Sequence, residues 1–591
     1  MEKYFESLGL NVIFSEANPL STSDPAIPEI NPRTVHLEVG SINGDGAFAL
    51  PVGIVADYDV AIQTRDGTVL RGDVFRPKGK EQVPVILSYT HFSKHGGWWN
   101  EQMHATKFGV PAHELSGLQA FEAPDPGWWC AKGYAVAVVD AAGTSQSEGD
   151  EVFMGSASGR NVSDVIEWLA EQSWCTGKVG MAGNSALAMI QWAAAAERPP
   201  HLAAIAPWES ATDLYRDMLF RGGIPDAKFV EVGIVPWIYG KGLKEGIFGA
   251  MMRKHPLMNA YWADKRAAFE RIDIPAYVVA SWSHVVHPRG TLQAFREMSS
   301  QEKWLRVHNN MEWIDIADPA SMPDLQKFFD RYLKDEDNGW EETPRVRLSV
   351  LDPGGTDVVH RPETEWPLAR QQWKTLYLNV QSSSLSDAKP DLPEVAKYDS
   401  QDAASSVKFY LDVDEDTEFT GYMTLHLWVE APDADDMDIF AAVYKEDKEG
   451  NRLHHITMKS EKTRADVLAM EENGKLPGTL SYTGPLGRLR VSHRGLDPDR
   501  STPSEPYLHH EREEKITPGE CVPVELALWP TAMILRAGQR LVVEIAGHPL
   551  GPPAHGVLPG EWTEIPTLNK GVHRIRTGGD HDSHLLIPQI P

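Results

Sequence analysis

Five short, uninterrupted apolar runs separated by helical segments constrain the fold of this chain more than any other feature. Such runs are typical of strands that are buried on both faces of a parallel sheet. Between two of them, Val162, Val165, Ile166 and Leu169 recur at helical spacing and predict a crossover helix over residues 161–171. Strand, helix and strand in this order predict a doubly wound α/β sheet. The runs are residues 83–89, 134–139, 178–182, 203–206 and 276–280.

The rest of the chain is divided by changes in this pattern. Residues 1–55 are rich in Pro, Ser and Asn and predict an irregular N-terminal arm. Residues 212–271 interrupt the alternation with helix-prone, aromatic sequence, which predicts a helical lid over the carboxyl ends of the strands. After residue 340, evenly spaced short strands without crossover helices predict an all-β jelly roll, a form of β-sandwich. The predicted units are an α/β core over 56–211 and 272–340, the lid, and a C-terminal jelly-roll domain over 341–591.

Composition limits the partners and the compartment. The formal net charge of −28 disfavours nucleic acid and anionic membranes as partners. The three cysteines, Cys130, Cys175 and Cys521, cannot form a full disulfide framework, and their spacing is not that of metal ligands. No basic and apolar leader follows Met1, so we expect a cytoplasmic protein. We predict a small-molecule substrate, no cofactor and no metal; a homodimer is left open.

Residues 177–188, GKVGMAGNSALA, are the most informative segment for function. A strand ends close to Gly183, Ser185 follows, and an apolar helix begins. This order places the Ser185 hydroxyl on a sharp strand-to-helix turn, where the amide of Ala186 and the helix N-terminus would stabilise an oxyanion. A serine that begins a helix is often only an N-cap, and Leu187 replaces the second glycine of the G-x-S-x-G pattern. The strand–helix context favours a nucleophile.

Several collinear segments resemble one known family. Besides the Ser185 turn, they are DYDVAIQTRDGTVLRGDVFRP at 57–77, GYAVAVVDAAGTSQSEG at 133–149, FFDRYLKDEDNGW at 328–340 and LRVSHRGL at 489–496. In these segments the chain resembles the CocE/NonD hydrolases, a family of serine esterases and X-prolyl dipeptidyl peptidases. The resemblance implies an α/β-hydrolase core with a helical lid and a jelly-roll domain that flanks the active site.

The site itself departs from the family pattern. Where the family carries a tyrosine whose hydroxyl donates to the oxyanion, this chain has Phe92, so only main chain near Phe92 is left to contribute. Losing one such donor typically costs about a hundred-fold or more in rate. The segment 140–143, DAAG, lacks the family's arginine. His284 stands where the family has its catalytic aspartate, and Glu312 stands where it has its catalytic histidine.

The general base is therefore open between several histidines. A serine nucleophile needs an imidazole within reach, and the imidazole needs a carboxylate partner. His284 or His287 on one loop, with Glu312 or Asp315 on another, would meet this need. We favour His287 with Glu312, because residues 287–290, HPRG, resemble a His-Thr-Arg-Gly segment of one branch of the family. His308 at a strand end is the second choice, and an ordinary structural role is the alternative for each histidine.

These residues lead to two functional hypotheses and a third of lower rank. We predict a serine hydrolase that acts on an ester, lactone or amide of a mid-sized apolar or aromatic molecule through an acyl-enzyme on Ser185. The alternative is a non-hydrolytic step in specialised metabolism, such as carbon–carbon cleavage, elimination or cyclisation, with histidines as acid and base. A non-catalytic ligand-binding protein ranks last. The residues predicted to line the substrate pocket, for which packing is the alternative, are His91, His95, Trp98 and Trp99.

Overall fold

The computed structural model describes residues 2–22, 27–95, 110–226, 238–284, 286–458, 465, 469, 481–551 and 567–591. Within these residues one mixed sheet occupies the first part of the chain and one all-β sheet occupies the second, each with 11 strands. Each sheet has its own large hydrophobic core. The α/β and all-β parts of the predicted fold are therefore both present.

The first sheet is arranged almost in chain order. Its strands follow one another as β11-β10-β9-β8-β7-β6-β4-β5-β3-β2-β1, and β4 to β10 run parallel. The edge strands β1 to β3 and β11 are antiparallel. The strands are β1 Arg33–Leu37, β2 Ile54–Gln63, β3 Val69–Pro77, β4 Val83–Thr90, β5 Ala135–Asp140, β6 Cys175–Asn184, β7 Leu202–Trp208, β8 Ala276–Ser281, β9 Lys303–His308, β10 Val346–Val350 and β11 Val358–Glu363.

Helices cover both faces of this sheet, as the unbroken apolar runs predicted. Val85 and Leu87 of β4 pack in the same core as the crossover helix and the helix after Ser185, whereas Ile86 packs with Phe328 on the other face. No helix of the described residues is both long and apolar enough to span a bilayer. The α-helices are α1 Glu2–Ser7, α2 Pro126–Ala131, α3 Ser156–Ala170, α4 Ala186–Glu197, α5 Met252–Lys254, α6 Ala260–Asp264, α7 Pro288–Glu297, α8 Glu312–Ala317 and α9 Met322–Leu333.

The N-terminal arm and the insertion at 212–271 are joined to each other. The short strand Phe14–Glu16 of the arm pairs with Leu243–Glu245 of the insertion, and β1 extends the main sheet, so the arm is more regular than predicted. The described part of the insertion contains only short helical segments connected by extended chain. Among them are the π-helix Tyr215–Leu219 and the single turn Arg221–Gly223, both of which border the cavity described below.

The C-terminal domain is all-β, but its strands close into a barrel where a jelly-roll sandwich was predicted. The long strand β16 pairs with β19 along one edge and with both β22 and β21 along the other. Residues 418–426 of β16 pair with β22 and residues 428–430 pair with β21, and a bulge between Gly421 and Met423 bends the strand. The strands are β12 Gln372–Asn379, β13 Ser384–Ser386, β14 Glu394–Asp399, β15 Ser406–Asp412, β16 Thr417–Glu430, β17 Asp438–Glu446, β18 Leu486–Arg490, β19 Cys521–Leu535, β20 Arg540–Ala546, β21 Val572–Thr577 and β22 His584–Ile590.

The two units are joined by main-chain and ionic contacts. The amide of Leu351 donates to the carbonyl of Ala532, and the amide of Ile534 donates back to the carbonyl of Leu351, both at 2.9 Å. Buried Lys445 of the barrel forms an ion pair with Asp352. A cavity of about 780 Å³ is lined by residues from both units. This volume suits a mid-sized small molecule.

Candidate active site

Ser185 occupies the predicted turn between a strand and a helix. Strand β6 ends at Asn184, helix α4 begins at Ala186, and Ser185 between them has φ 53° and ψ −118°. A positive φ is uncommon for a residue with a side chain, and such strain is concentrated at functional sites. The amide of Ser185 donates to the carbonyl of Trp208 at 3.1 Å, which fixes the turn against β7. Ser185 stays partly exposed while Asn184 and Ala186 are buried.

Gly183 makes this turn possible. It has φ +151°, and a Cβ atom at this position would lie 2.6 Å from the Cβ of Leu187 in the first turn of α4. Leu187 stands where many related turns have their second glycine, so the space that a side chain on residue 183 would need is already filled. Only glycine at 183 allows β6 and α4 to approach this closely.

Gly183→Ala is expected to destabilise the protein by about 2–4 kcal/mol, because it adds a steric clash to an unfavourable φ. The free energy of unfolding from urea titration measures the loss. The matched control is Gly133→Ala, since Gly133 has φ +81° and no atom within 4 Å of an added Cβ. That control should cost only about 1 kcal/mol. Equal losses in the two variants would contradict a clash with Leu187.

Glu312 brings both predicted histidines of the neighbouring loop together. Its Oε1 lies 3.1 Å from His284 Nε2, and its Oε2 lies 3.6 Å from His287 Nε2. The two imidazole rings are stacked with their centroids 4.5 Å apart. Asn184, the residue before Ser185, donates from Nδ2 to Glu312 Oε2 at 2.9 Å. The cluster is thus connected by a hydrogen bond to the turn that carries Ser185.

The hydrogen bonds of the two rings assign them different tautomers. The carbonyl of Ser210 lies 3.2 Å from His287 Nδ1 and can only accept, so the proton of the neutral ring is on Nδ1 and the lone pair is on Nε2. His284 is the reverse, because the amide of Val286 donates to its Nδ1 and leaves the proton of the neutral ring on Nε2, facing Glu312. Of the two, His287 therefore has the nitrogen that is able to accept a proton.

The electrostatic environment shifts the pKa values of the two rings in opposite directions, and it also favours a neutral His287. Burial, followed by the neighbouring charge of His284, lowers the pKa of His287 to about 3. Burial also disfavours a charged His284, but the Glu312 carboxylate outweighs burial and raises the pKa of His284. Against the effect of burial, the two histidines lower the pKa of Glu312 to about 2. Glu312 is therefore ionised and His287 is neutral at neutral pH.

Glu122 is a site residue that sequence reasoning missed. It is buried, accepts a hydrogen bond from Trp313 Nε1 at 2.9 Å through Oε1, and accepts the amide of Asn184 through its carbonyl. Burial, and then the negative charge of Glu312, raise the pKa of Glu122 well above its usual value. Its neutral form lets a second carboxyl group stand beside Glu312 without a second buried charge. Glu122 is distinguished by its positive φ, which only the structure shows; the sequence gives no sign of it.

His308 belongs to a separate, neighbouring group. Its Nε2 lies 2.8 Å from Glu209 Oε1 and 3.7 Å from Asp315 Oδ2, and the amide of Asn310 donates to its Nδ1 at 3.2 Å. The proton of the neutral ring is consequently on Nε2, toward Glu209. Asp315 also forms an ion pair with buried Arg306. The structure thus places Asp315 with His308 and Glu312 with His284 and His287.

The segment after β4 is held tightly by polar contacts. The amide of Phe92 donates to Thr90 Oγ1 at 3.0 Å, so in this conformation it is engaged and does not serve as an oxyanion donor. Lys94 is buried and donates from Nζ to Asp59 Oδ1 at 2.8 Å. His91 Nδ1 lies 3.1 Å from Glu151, and His95 Nε2 lies 2.9 Å from Lys94 Nζ. Neither histidine lines the large cavity, and Trp98 and Trp99 lie outside the described residues.

His284, His287 and Glu312 are also a possible metal-ligand set. In the described part of the chain theirs is the group of three such side chains whose ligand atoms lie within 4.8 Å of one another. Metal binding through His284 Nε2 would require the ring proton on Nδ1, where it would oppose the N–H of Val286. The hydrogen bonding of His284 therefore fits an imidazole–carboxylate pair better than a metal centre.

Comparisons with known proteins agree with this fold. Residues 66–236 match the X-Pro dipeptidyl-peptidase (S15 family), and residues 338–586 match the X-Pro dipeptidyl-peptidase C-terminal non-catalytic domain. Cocaine esterase from Rhodococcus sp. is 24% identical in an alignment 618 residues long, which covers 90% of this chain and 98% of the esterase. An α-amino acid ester hydrolase of known structure, 16% identical with a TM-score of 0.68, shares the fold over 96% of this chain and 100% of its own.

A solved structure from Staphylococcus aureus is more similar. It is a CocE/NonD family hydrolase, 31% identical, with a TM-score of 0.83 and coverage of 98% of this chain and 99% of that one. The match extends over both units of the chain, and Ser185 lies at the strand-to-helix turn that the hydrolase fold uses for its nucleophile. The chain belongs to the CocE/NonD family of hydrolases and is an enzyme that acts by hydrolysis.

Proposed function

We propose that the chain hydrolyses an ester or amide of a mid-sized small molecule through an acyl-enzyme on Ser185, with His287 as general base. The observation that carries the proposal is the strained backbone of Ser185 at the β6–α4 turn. Support comes from the anchoring of both groups at one strand end, because Ser185 bonds to the carbonyl of Trp208 and His287 faces the carbonyl of Ser210. Known esterases and X-Pro peptidases among the similar proteins agree with this chemistry.

In the first half-reaction Ser185 Oγ attacks the carbonyl carbon and its proton moves to His287 Nε2. The amide of Ala186 and the N-terminus of α4 stabilise the oxyanion, since the first amides of a helix have no partners within the helix. Collapse of the tetrahedral intermediate expels the leaving group, which takes the proton from His287. A water molecule then attacks the acyl-enzyme by the same route and releases Ser185.

The Ser210 carbonyl and the Glu312 carboxylate, the two acceptors near His287, have roles that differ from those in a standard triad. The carbonyl of Ser210 takes the position at His287 Nδ1 that a catalytic carboxylate usually occupies, and it fixes the tautomer. Glu312 instead faces Nε2, where it would stabilise the positive charge that forms when His287 accepts a proton. The sequence predicts that Glu312 orients the histidine; the contacts instead give that role to the carbonyl of Ser210 and an electrostatic role to Glu312.

The test is active-site labelling combined with turnover. A fluorophosphonate probe should label the native protein at Ser185, identified by peptide mass spectrometry, and p-nitrophenyl esters should be hydrolysed. One observation keeps a mechanism without the serine in the test: His284 lines the large cavity whereas Ser185 does not. If the probe does not label Ser185 and no ester is turned over, the serine mechanism is wrong and histidine acid–base chemistry on the cavity side becomes the better explanation.

The pH dependence should be unusual for a serine hydrolase. A neutral His287 with a pKa of about 3 and an ionised Glu312 with a pKa of about 2 keep these states from pH 8 down to pH 5. We expect kcat/KM to change less than about two-fold over this range, whereas a histidine of ordinary pKa, about 6.5, would cause a loss of about 30-fold at pH 5. Initial rates with a phenyl ester, whose product does not ionise in this range, measure the profile. An acidic limb near pH 6.5 would contradict the assignment of His287.

A further inference from the structure

The proposed reaction has oxyanion donors on one side only. The amide of Ala186 and the N-terminus of α4 contribute from the strand-to-helix turn, whereas hydrolases of this fold take a second donor from the loop after a neighbouring strand. Phe92 stands in that loop, but its side chain has no donor and its amide is bonded to Thr90 Oγ1. Another group of the same loop is therefore needed for the second hydrogen bond.

This loop, residues 91–94, follows β4 and lies level with the nucleophile. Strands β4 and β6 are parallel neighbours in the sheet, with Leu87 opposite Met181. Three residues further along both strands, the same register brings Thr90 at the end of β4 level with Asn184 at the end of β6. The nucleophile is the next residue after β6, so the 91–94 loop begins beside it at the same edge of the sheet.

Side-chain packing connects the loop to the nucleophile turn from a second direction. The ring of Phe92 meets the ring of Phe121 edge to face, with the centroids 5.5 Å apart. The next residue, Glu122, accepts the amide of Asn184 through its main-chain carbonyl at 3.0 Å. Residues 121–122 thus join the 91–94 loop to the residue before Ser185.

Ser93 offers a donor in this loop. It is buried and has φ 76°, a conformation that is uncommon outside glycine and is concentrated at functional sites. Its Oγ accepts the amide of His95 at 3.3 Å, and within the described residues it donates to no acceptor. A hydroxyl has one proton besides its lone pairs, and burying that proton without an acceptor costs free energy. An oxyanion is an acceptor that arrives with the substrate.

Lys94 holds the loop in place immediately after Ser93. Its amide donates to Asp140 Oδ1 at 2.6 Å, and its buried Nζ forms ion pairs with Asp59 at 2.8 Å and with Asp73 at 2.9 Å. These contacts tie the loop to β2, β3 and β5. A donor that is fixed before the reaction stabilises a developing negative charge without a cost for reorganisation.

We propose that the Ser93 hydroxyl donates a hydrogen bond to the oxyanion, together with the amide of Ala186, and is therefore a catalytic residue. The inference rests on the proposed hydrolase function and adds a residue to the same site. The hydrogen bond strengthens as the carbonyl oxygen gains negative charge, so it lowers the energy of the transition state more than that of the bound substrate.

Ser93→Ala tests the proposal. The variant should lower kcat for p-nitrophenyl butyrate about 100-fold and change KM less than about two-fold, because the lost bond acts on the transition state. The second-order rate of fluorophosphonate labelling should fall with kcat, since negative charge also develops on the phosphoryl oxygen. The label should still be found on Ser185, which distinguishes loss of an oxyanion donor from loss of the nucleophile.

Two further variants exclude a folding defect as the cause. Ser300→Ala is the matched control, because Ser300 is buried and its hydroxyl accepts the amide two residues later at 3.2 Å, but it precedes β9 at the opposite edge of the sheet. It should keep native kcat. Ser93→Gly removes the same hydroxyl and suits the positive φ. It should unfold at no lower temperature than Ser93→Ala and lose as much activity, a combination that a folding defect would not produce.

The outcomes separate this inference from the proposed function. If the native protein is labelled and active while Ser93→Ala keeps kcat within about three-fold of native, the role of the hydroxyl is refuted and the hydrolase function stands. A rise in KM without a fall in kcat would also refute it, because it would show a bond to the ground-state substrate. If the native protein is neither labelled at Ser185 nor active on esters, the hydrolase function is wrong and the inference falls with it.

Discussion

Ser185→Ala is expected to lower kcat for p-nitrophenyl ester hydrolysis by at least about four orders of magnitude and to abolish fluorophosphonate labelling. Removing the hydroxyl deletes the nucleophile, so no acyl-enzyme forms, and only oxyanion stabilisation and substrate binding remain. The fold should be unaffected because the amide of residue 185 still donates to the carbonyl of Trp208. Alanine also accepts the positive φ about as well as serine does, since neither carries a branched Cβ.

The control for this variant is Ser300→Ala. Ser300 is buried like the site residues, but its hydroxyl only accepts the amide of Glu302 at 3.2 Å, so its removal should change kcat by less than about two-fold. Thermal unfolding of both variants should coincide with that of the native protein within a few degrees. Retention of more than a hundredth of native activity by Ser185→Ala, on any substrate of the native enzyme, would exclude a serine nucleophile for that reaction.

The architecture of the α/β sheet was largely predictable because burial on both faces leaves an unbroken apolar run in the sequence. The run at 83–89 became β4, and the periodic segment at 161–171 became part of α3. Closure of the C-terminal barrel was not predictable in this way. It depends on the pairing of Glu418 with Ile590, two residues far apart in the chain, and hydrophobic alternation within each strand does not specify which distant edge it will meet.

The site could be predicted only where its chemistry resides in a recognisable side chain at a strand end. Ser185 and the meeting of Glu312 with the two histidines of the neighbouring loop belong to this class. Ser210 acts through its carbonyl oxygen, which any residue would supply, and Glu122 acts through burial beside another carboxyl group. Neither role can be recognised from residue type or from the spacing of residues in the sequence. The engagement of the Phe92 amide by Thr90 likewise depends on local backbone geometry.

Glu312→Gln should reduce kcat by about 100- to 1000-fold while KM changes little. Glutamine keeps the shape, and its single carbonyl oxygen can still accept the hydrogen bond from either Asn184 or His284, but it removes the negative charge opposite His287 Nε2. That charge stabilises the imidazolium, which exists only on the reaction pathway, so its loss acts on the transition state and not on substrate binding. The effect should be smaller than that of Ser185→Ala because the Ser210 carbonyl still fixes the tautomer of His287.

Glu312→Gln should also shift the pKa values of His284 and Glu122, which NMR titration measures. Glu312 raises the pKa of both His284 and Glu122, so both should fall when its charge is removed. A variant that had merely lost its local structure would bring Glu122 back toward an ordinary carboxyl pKa but would also lose the hydrogen bond from Trp313 Nε1, whose indole proton reports it. Persistence of the indole signal with both shifts would show that the charge alone has changed.

Glu209→Gln is the matched comparison that decides between the two histidine–glutamate pairs. Glu209 is as buried as Glu312, follows β7 where Glu312 follows β9, and faces His308, the second candidate for the base. Because the neutral His308 ring carries its proton on Nε2, it has no lone pair directed toward Glu209 or the cluster, and we expect Glu209→Gln to keep at least about a tenth of native kcat. A large loss in Glu209→Gln together with a small one in Glu312→Gln would reverse the assignment and make His308 the general base. The relative size of the two losses therefore identifies the histidine that takes the proton from Ser185.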